Sequence, residues 1–426
     1  MNFTKEPYFS NKETGLNIIY NIGIQLTQLT LKIIGLFNHK IRLGVKGRKE
    51  TFSKLKATIQ ANDKTLWFHC ASLGEYEQGL PVFEELRKDY PNHKVIISFF
   101  SPSGYEVRKN SPIADVVVYL PLDTQKNAKR FLDLIKPELT IFVKYEIWPN
   151  VLNELKKQNR KAILISALFR KDQIFFKWYG DQFRKALFAF EHIFTQDEAS
   201  VKLLKTIEYN QVTLSGDTRF DRVSNQLLQN NTLEFIEQFK QDSLCVVVGS
   251  SWPEDEEVLV PYINESSHKN VKYIIAPHNI KTNQIDKLKQ SITMPVVCYS
   301  ELDGKNISEY QVLILNTIGL LTKVYNYADI AYVGGAMGST GLHNTLEAAV
   351  FGVPIIIGQH YTKFPEAAQM ISKGGMTSIS NKIEAKNTLN QLIDNKILRD
   401  KSGKKNNLYI KENRGAVIQI LDFIRK

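Results

Sequence analysis

From residue 66 onward, short apolar runs alternate with longer amphipathic segments, and this alternation restricts the chain to parallel sheets with helices on both faces. The runs fall at 66–70, 94–99, 116–120, 139–143, 162–166 and 212–214. A second series starts at Leu244 and continues at 273–276, 296–299, 312–315, 330–333 and 354–357. Short, apolar and bounded by glycine, proline or polar residues, they read as strands buried on both faces. Between the two series lies a polar, Gln/Asn-rich stretch, 221–242, which reads as a connection. The expected organisation is an N-terminal segment (1–45), an α/β domain (46–220), a linker (221–242), a second α/β domain (243–405) and a closing helix (406–426) that packs back across the domains. Open parallel sheets place ligands outside the carboxyl ends of their strands, so the expected ligand site is a cleft between two doubly wound domains.

The 426 residues carry a formal net charge of +11, which points to an anionic partner: nucleic acid, acidic lipid or a phosphorylated substrate. Charge does not choose among them. Cys70, Cys245 and Cys298 are few, odd in number and far apart, which suggests neither a disulfide framework nor a zinc site and fits a reducing compartment. Neither a P-loop nor a GxGxxG turn after a strand occurs, and no His/carboxylate spacing resembles a metal site. These absences argue against an NTPase or a dehydrogenase, and no cofactor or metal is expected.

Near the N-terminus, Ile18, Ile22, Leu26, Leu29, Ile33 and Leu36 repeat with helical spacing beside a polar stripe of Asn17, Asn21, Gln25, Gln28 and Lys32. That stripe is costly in lipid, so a helix lying in the membrane interface is expected over one that crosses. Lys40, Arg42, Lys46, Arg48 and Lys49 follow, placed to meet anionic headgroups. The plainer alternative is a helix packed on the body of the protein.

The stretch 330–358, IAYVGGAMGSTGLHNTLEAAVFGVPIIIG, joins a strand, two glycines, a loop, a helix start capped by Asn344 with Glu347 three residues on, and a second strand. Glycines allow close backbone approach, and a capped helix start is a phosphate site that needs no metal. His343, Ser339 and Thr340 add donors. An ordinary strand–loop–helix unit fits the stretch equally well. Other chemistry-bearing residues also follow strand ends: Glu75 in HCASLGE, Glu146 in KYEIWPN, Arg219 in SGDTRFD, Ser250 and Ser251 before Trp252 and the acidic run 254–257, Pro277 with His278, and Ile318 with Gly319. Each has a bland reading. Glu75 favours the next helix's dipole, Glu146 pairs with Lys144, Arg219 pairs with an aspartate, and His278 is structural. A metal-free transferase using a nucleotide-activated donor accommodates all of them.

Taken in order and spacing, HCASLGE, KYEIWPN, GDTRF, the Pro277–His278 pair, TIGLL and YVGGAMGSTGLHNTLEAAVFGVPIIIG resemble the 3-deoxy-D-manno-octulosonic acid (Kdo) transferases from about residue 66 to 370. The resemblance implies a GT-B fold of two Rossmann-like domains, and inverting, metal-independent transfer of Kdo from CMP-Kdo to a lipid A precursor. It places this at the cytoplasmic face of the bacterial inner membrane, with the N-terminal helix as anchor against an anionic membrane surface. It implies Glu75 as general base and Glu146 and Arg219 as transition-state support. Pro277, His278, Ile318, Gly319, Leu320, Asn344, Thr345, Leu346 and Glu347 would form the CMP site, with Glu347 accepting ribose hydroxyls. Lys144, Arg219, Pro277, Trp252 and Leu342 depart from the family's usual residues, so the phosphate contacts are expected to differ in detail. The competing expectations are a UDP-sugar glycosyltransferase or epimerase of the same fold, and a basic noncatalytic module for membranes or nucleic acid. No nucleic-acid partner is expected under the transferase reading.

Overall fold

A computed structural model describes residues 10–426, with side chains from Ile19 onward. The start of the N-terminal segment, including the side chains of Leu16, Asn17 and Ile18, lies outside the described residues. The chain forms two units, Met1–Asp221 with Gly415–Lys426, and Arg222–Arg414.

The first unit is built on seven strands, β1 (Thr65–Cys70), β2 (Lys94–Phe99), β3 (Val116–Tyr119), β4 (Leu139–Val143), β5 (Lys161–Ala167), β6 (His192–Thr195) and β7 (Val212–Leu214). They are parallel throughout and ordered β3-β2-β1-β4-β5-β6-β7. In β1 and β4 every residue is buried, because helices cover both faces and leave no solvated side. The second unit repeats the plan with β8 (Leu244–Ser251), β9 (Val271–Pro277), β10 (Val296–Cys298), β11 (Val312–Ile314), β12 (Ile330–Val333), β13 (Ile355–Ile357) and β14 (Met376–Ser378). Their order is β10-β11-β9-β8-β12-β13-β14.

Both sheets reverse direction of strand addition beside their first strand. In the first unit the switch lies between β1 and β4, paired from Leu66↔Leu139 to His69↔Phe142. In the second it lies between β8 and β12, paired from Val246↔Ile330 to Gly249↔Val333. At such a point the connections after the two strands run to opposite faces and leave a crevice at the carboxyl ends.

Three expectations about boundaries change. β6 and β14 were not anticipated: β6 has four residues behind a polar Glu191, and edge strand β14 alternates a buried Met376 with an exposed Thr377, so neither makes a continuous apolar run. The stretch 221–242 contains helical structure, since helix Thr218–Gln226 runs into it and helix Glu234–Lys240 buries Ile236 and Phe239 in the second unit. The single closing helix expected over 406–426 is two. Helix Lys396–Asn413 belongs to the second unit, Gly415 breaks the chain at φ 112°, and helix Ala416–Ile424 packs Ile420 and Leu421 into the core of the first.

The N-terminal residues form helix Ser10–Phe37, and the basic segment forms a second helix, His39–Thr58. Helix Ser10–Phe37 packs on the body of the protein, the plainer alternative read from its sequence. Tyr20 and Asn21 dock on the body, where the Tyr20 hydroxyl donates to Asp123 Oδ2 at 2.7 Å and Asn150 Nδ2 donates to Asn21 Oδ1 at 2.9 Å, while Gln25, Gln28 and Lys32 of the polar stripe stay exposed. Ile22, Leu26, Leu29, Ile33 and Leu36 are exposed. No helix among the described residues is long and apolar enough to cross a membrane. Lys40, Arg42, Lys46 and Lys49 are exposed, but Arg48 is not available to headgroups. It lies on the face packed against the sheet, donates to Leu120 O and Phe100 O, and stacks over the Phe100 ring at 4.4 Å.

Candidate functional site

In the first unit, the candidate residues of the motifs after β1 and β4 flank the switch point. β1 leads into helix Leu73–Asp89, with Ser72 as its N-cap and Glu75 in its first turn. The Ser72 hydroxyl donates to the Glu75 carboxylate, which is half-buried. Beside it, a Cβ on Gly74 would meet only Ser72 Oγ, at 3.7 Å, so the approach to Glu75 is open. One turn further, Gln78 Nε2 donates to Asp217 at 3.3 Å and the Thr218 hydroxyl donates to Gln78 O at 2.6 Å. These bonds fix the helix bearing Glu75 to the start of helix Thr218–Gln226, which bears Arg219. Arg219 itself forks onto Asp217 Oδ2 through Nε at 2.8 Å and Nη2 at 2.7 Å. The ion pair read as its bland alternative is therefore present.

Across the switch point, β4 is followed by Lys144, which takes the left-handed conformation (φ 71°) and lays its ammonium over the Tyr145 ring. That turn swings Glu146 toward β1. Its Oε2 lies 2.8 Å from Trp148 Nε1 and 3.1 Å from His69 Nε2. His69 is fully buried in β1, and its Nδ1 lies 2.8 Å from Ser98 Oγ, which also accepts from Trp67 Nε1 at 2.8 Å. Trp148, expected as a possible plug at the sheet edge, is instead a donor to Glu146, while Pro149 opens helix Pro149–Lys157 as expected. Sequence reasoning missed this network. A visible signal was His69 itself, a polar side chain inside a strand otherwise buried and apolar, which must find partners.

In the second unit the residues after β8, β9 and β12 converge. Asp255, in the first turn of helix Pro253–Glu265, is fully buried and ties two strand ends together. It accepts from Trp252 N at 2.9 Å, Gly335 N at 2.8 Å and the Tyr332 hydroxyl at 2.7 Å. Burial holds its carboxyl above the usual range, against the pull of those donors. The acidic run expected merely to favour the helix start thus supplies a structural hub. The close approach it enforces requires glycine, because a Cβ on Gly334 would lie 2.4 Å from Ser250 O.

Around this hub three rings stack. Trp252 lies against His278 with centroids 4.5 Å apart, and His278 lies 4.5 Å from His343. Trp252 Nε1 donates to His343 Nε2 at 3.0 Å, so a neutral His343 carries its proton on Nδ1. Burial, with His278 adding to it, lowers the His343 pKa to about 4, and burial lowers that of His278 too. Both are neutral near pH 7 and offer N–H donors rather than positive charge.

The helix after His343 is shorter than the two turns expected, a single turn Leu346–Ala349. Asn344 Oδ1 accepts from Leu346 N at 3.2 Å and its Nδ2 donates to Glu347 Oε1 at 3.0 Å. Arg222 Nη1 stands 4.0 Å from Glu347 Oε1. One turn carries little dipole, so side chains hold more of any anion recognition here than the sequence implied. Pro277 ends β9 with His278 next after it, and Ile318, Gly319 and Leu320 follow β11, with Ile318 83% exposed and Gly319 at φ 94°. Among the described residues no cluster of three or more His, Cys, Asp or Glu is arranged to hold a metal ion. The three cysteines are free and buried.

Paired Rossmann-like units of this kind define the GT-B fold. Over 85% of this chain, UDP-GlcNAc 2-epimerase from Neisseria meningitidis matches with TM-score 0.60 and 16% identity, covering 100% of that chain. Acinetobacter baumannii MurG matches with TM-score 0.54 and 13% identity, over 85% of this chain and 99% of that one. These likenesses establish architecture alone. A family model described as 3-deoxy-D-manno-octulosonic-acid transferase (kdotransferase) matches residues 45–222. The 3-deoxy-D-manno-octulosonic acid transferase of Haemophilus influenzae is 26% identical over 372 residues, 84% of this chain and 86% of its relative. That of Aquifex aeolicus is 26% identical over 343 residues, 79% and 88% of the two chains. The protein is a glycosyltransferase of the GT-B fold. Its first unit matches the Kdo transferase family model over residues 45–222, and curated Kdo transferases are similar to it over most of its length.

Proposed function

We propose that the protein transfers Kdo from CMP-Kdo to a sugar hydroxyl of a lipid A precursor, with inversion and with Glu75 as general base. Glu75 takes the proton of the acceptor hydroxyl as that oxygen attacks the anomeric carbon of Kdo. The bond to the phosphate breaks, and CMP leaves with its electron pair. A single displacement of this kind inverts the anomeric centre. The observation that carries the reading is the position of Glu75, in an open first turn beside the switch point of a Kdo transferase domain. Glu146 and Arg219 support the reacting centre. Pro277, His278, Ile318, Gly319, Leu320, Asn344, Thr345, Leu346 and Glu347 hold CMP. With His278 and His343 neutral, the phosphate there meets N–H donors.

The protein works at the cytoplasmic face of the inner membrane as a peripheral enzyme, through the exposed apolar side of helix Ser10–Phe37 and the exposed cations of helix His39–Thr58. Such a face suits an interfacial helix.

Release of CMP from CMP-Kdo in the presence of a lipid A precursor tests the function, and release that does not depend on acceptor rejects it. Glu75→Gln tests the mechanism. Transfer is expected to fall by about 10²- to 10⁴-fold with CMP binding retained. Parallel loss of both makes Glu75 structural. A UDP-sugar epimerase or transferase remains the rival suggested by fold, and it requires UDP to bind in preference to CMP.

A further inference from the structure

The hydrogen atoms in the chain of contacts from Trp67 to Glu146 can be placed from the donors alone. Trp67 Nε1 carries an N–H and has no acceptor capacity, so Ser98 Oγ accepts from it. The Ser98 hydroxyl hydrogen then passes to His69 Nδ1, 2.8 Å away. That leaves Nδ1 unprotonated and puts the ring proton on Nε2, which faces Glu146 Oε2 at 3.1 Å. The opposite tautomer aims two N–H groups at Ser98 and sets the Nε2 lone pair against a carboxylate oxygen. Trp148 Nε1 supplies a second donor to the same Oε2 at 2.8 Å and also lies within hydrogen-bond distance of His69 Nε2, at 3.1 Å.

We infer that His69 is a positioning residue, held as the Nε2–H tautomer by Trp67 and Ser98, that with Trp148 commits one oxygen of Glu146 and leaves the other to accept a sugar hydroxyl of the substrate. Among the described residues Oε1 has no hydrogen-bond partner in the protein, and the Glu146 side chain is 11% exposed while that of His69 is 0% exposed. A carboxylate so nearly buried has few rotamers open to it, and two donors on one oxygen remove the remaining freedom. The gain is orientation, because a group pre-aligned by neighbours loses no order when substrate arrives.

The inference rests on Glu146 serving transfer, as proposed above, and two measurements keep the failures separate. Nitrogen NMR of the full chain with labelled histidine reads the tautomer without any assay, the His69 signal being assigned by its loss in His69→Gln. An unprotonated Nδ1 with a protonated Nε2 is expected, and the reverse overturns the inference. In the transfer assay, His69→Leu is expected to lower kcat on the order of 100-fold, with KM for CMP-Kdo nearly unchanged. His69→Gln, which keeps an N–H near Nε2, should recover most of that loss. Equal activity of the Leu and Gln variants, or a His69→Leu enzyme with the wild-type kcat, overturns the inference. Should the Leu variant fail to fold, Trp148→Phe removes the other donor from outside the core of β1 and is expected to lower kcat in the same way, and an unchanged kcat overturns the inference. A wild-type chain that releases no CMP defeats the proposed function and leaves the tautomer result to stand alone.

Discussion

Glu75, Glu146 and His343 show how a side chain's surroundings rather than its identity set its chemistry. Glu75 is bonded to Ser72 beside an open glycine, while one oxygen of Glu146 accepts from Trp148 and lies 3.1 Å from the buried His69 ring. His343 was read as a phosphate donor, and its neutrality follows from burial and a neighbouring imidazole that no motif displays. The pH consequence has a definite sign. The folded pKa, about 4, lies below the ordinary 6.5, so between those values the unfolded chain binds a proton that the folded chain refuses. His343 therefore removes stability as pH falls from about 6.5 towards 4, and its effect is constant below both. Thermal unfolding of wild type and His343→Gln should diverge least in acid, with the wild-type Tm falling more steeply across that window. Parallel curves would mean His343 is protonated in the folded protein. The variant difference is the proper readout, because burial raises Asp123, Asp221 and Asp255 and makes them oppose this trend.

Among the elements, the N-terminal helix carries the least expected arrangement. Tyr20 and, from the polar stripe that argued against crossing a bilayer, Asn21 reach Asp123 and Asn150 beside the start of helix Pro149–Lys157, while Gln25, Gln28 and Lys32 stay exposed. Asp123 also accepts from Asn150 N at 3.0 Å and Val151 N at 2.9 Å, so one buried carboxylate caps that helix and holds Tyr20. The docked side leaves the apolar side outward, as an interfacial helix needs. Replacing Leu26 and Leu29 together by Glu should abolish sedimentation with anionic phospholipid vesicles, and each of Lys40→Ala, Lys46→Ala and Lys49→Ala should weaken it by about 1 kcal/mol. Binding indifferent to both sets would remove the membrane role. The amphipathic period of this helix was legible in sequence. That Arg48 turns inward while its neighbours face solvent was not, since the direction of a basic residue depends on what the helix packs against.

For the whole molecule, the chain passes between its units twice, after Asp221 and after Arg414, and a single carboxylate marks both places. Asp221 accepts from Gly415 N at 2.8 Å and Ala416 N at 3.0 Å, capping helix Ala416–Ile424 where it rejoins the first unit. Asp221→Ala should cost about 0.5–2 kcal/mol, as loss of a helix cap does, and amide hydrogen exchange should quicken selectively across 416–424. Unchanged exchange there would show that the packing of Ile420 and Leu421 suffices. The closing helix expected at 406–426 was visible as an apolar tail, but not its attachment, which a local helix pattern does not encode.

The sequence by itself determined the class of fold and the order of the motifs. Strands buried on both faces must be short and apolar, and the residues that follow them stand at carboxyl ends whatever the sheet order. Tertiary structure alone decided which of those residues act together. Strand order set β1 beside β4 and β8 beside β12, so that His69 meets Glu146 and Asp255 meets Gly335 across long separations in the chain. The physical reason is that burial and hydrogen-bond partners belong to neighbours in space, and these fix a tautomer, a charge state or an orientation that no short motif contains.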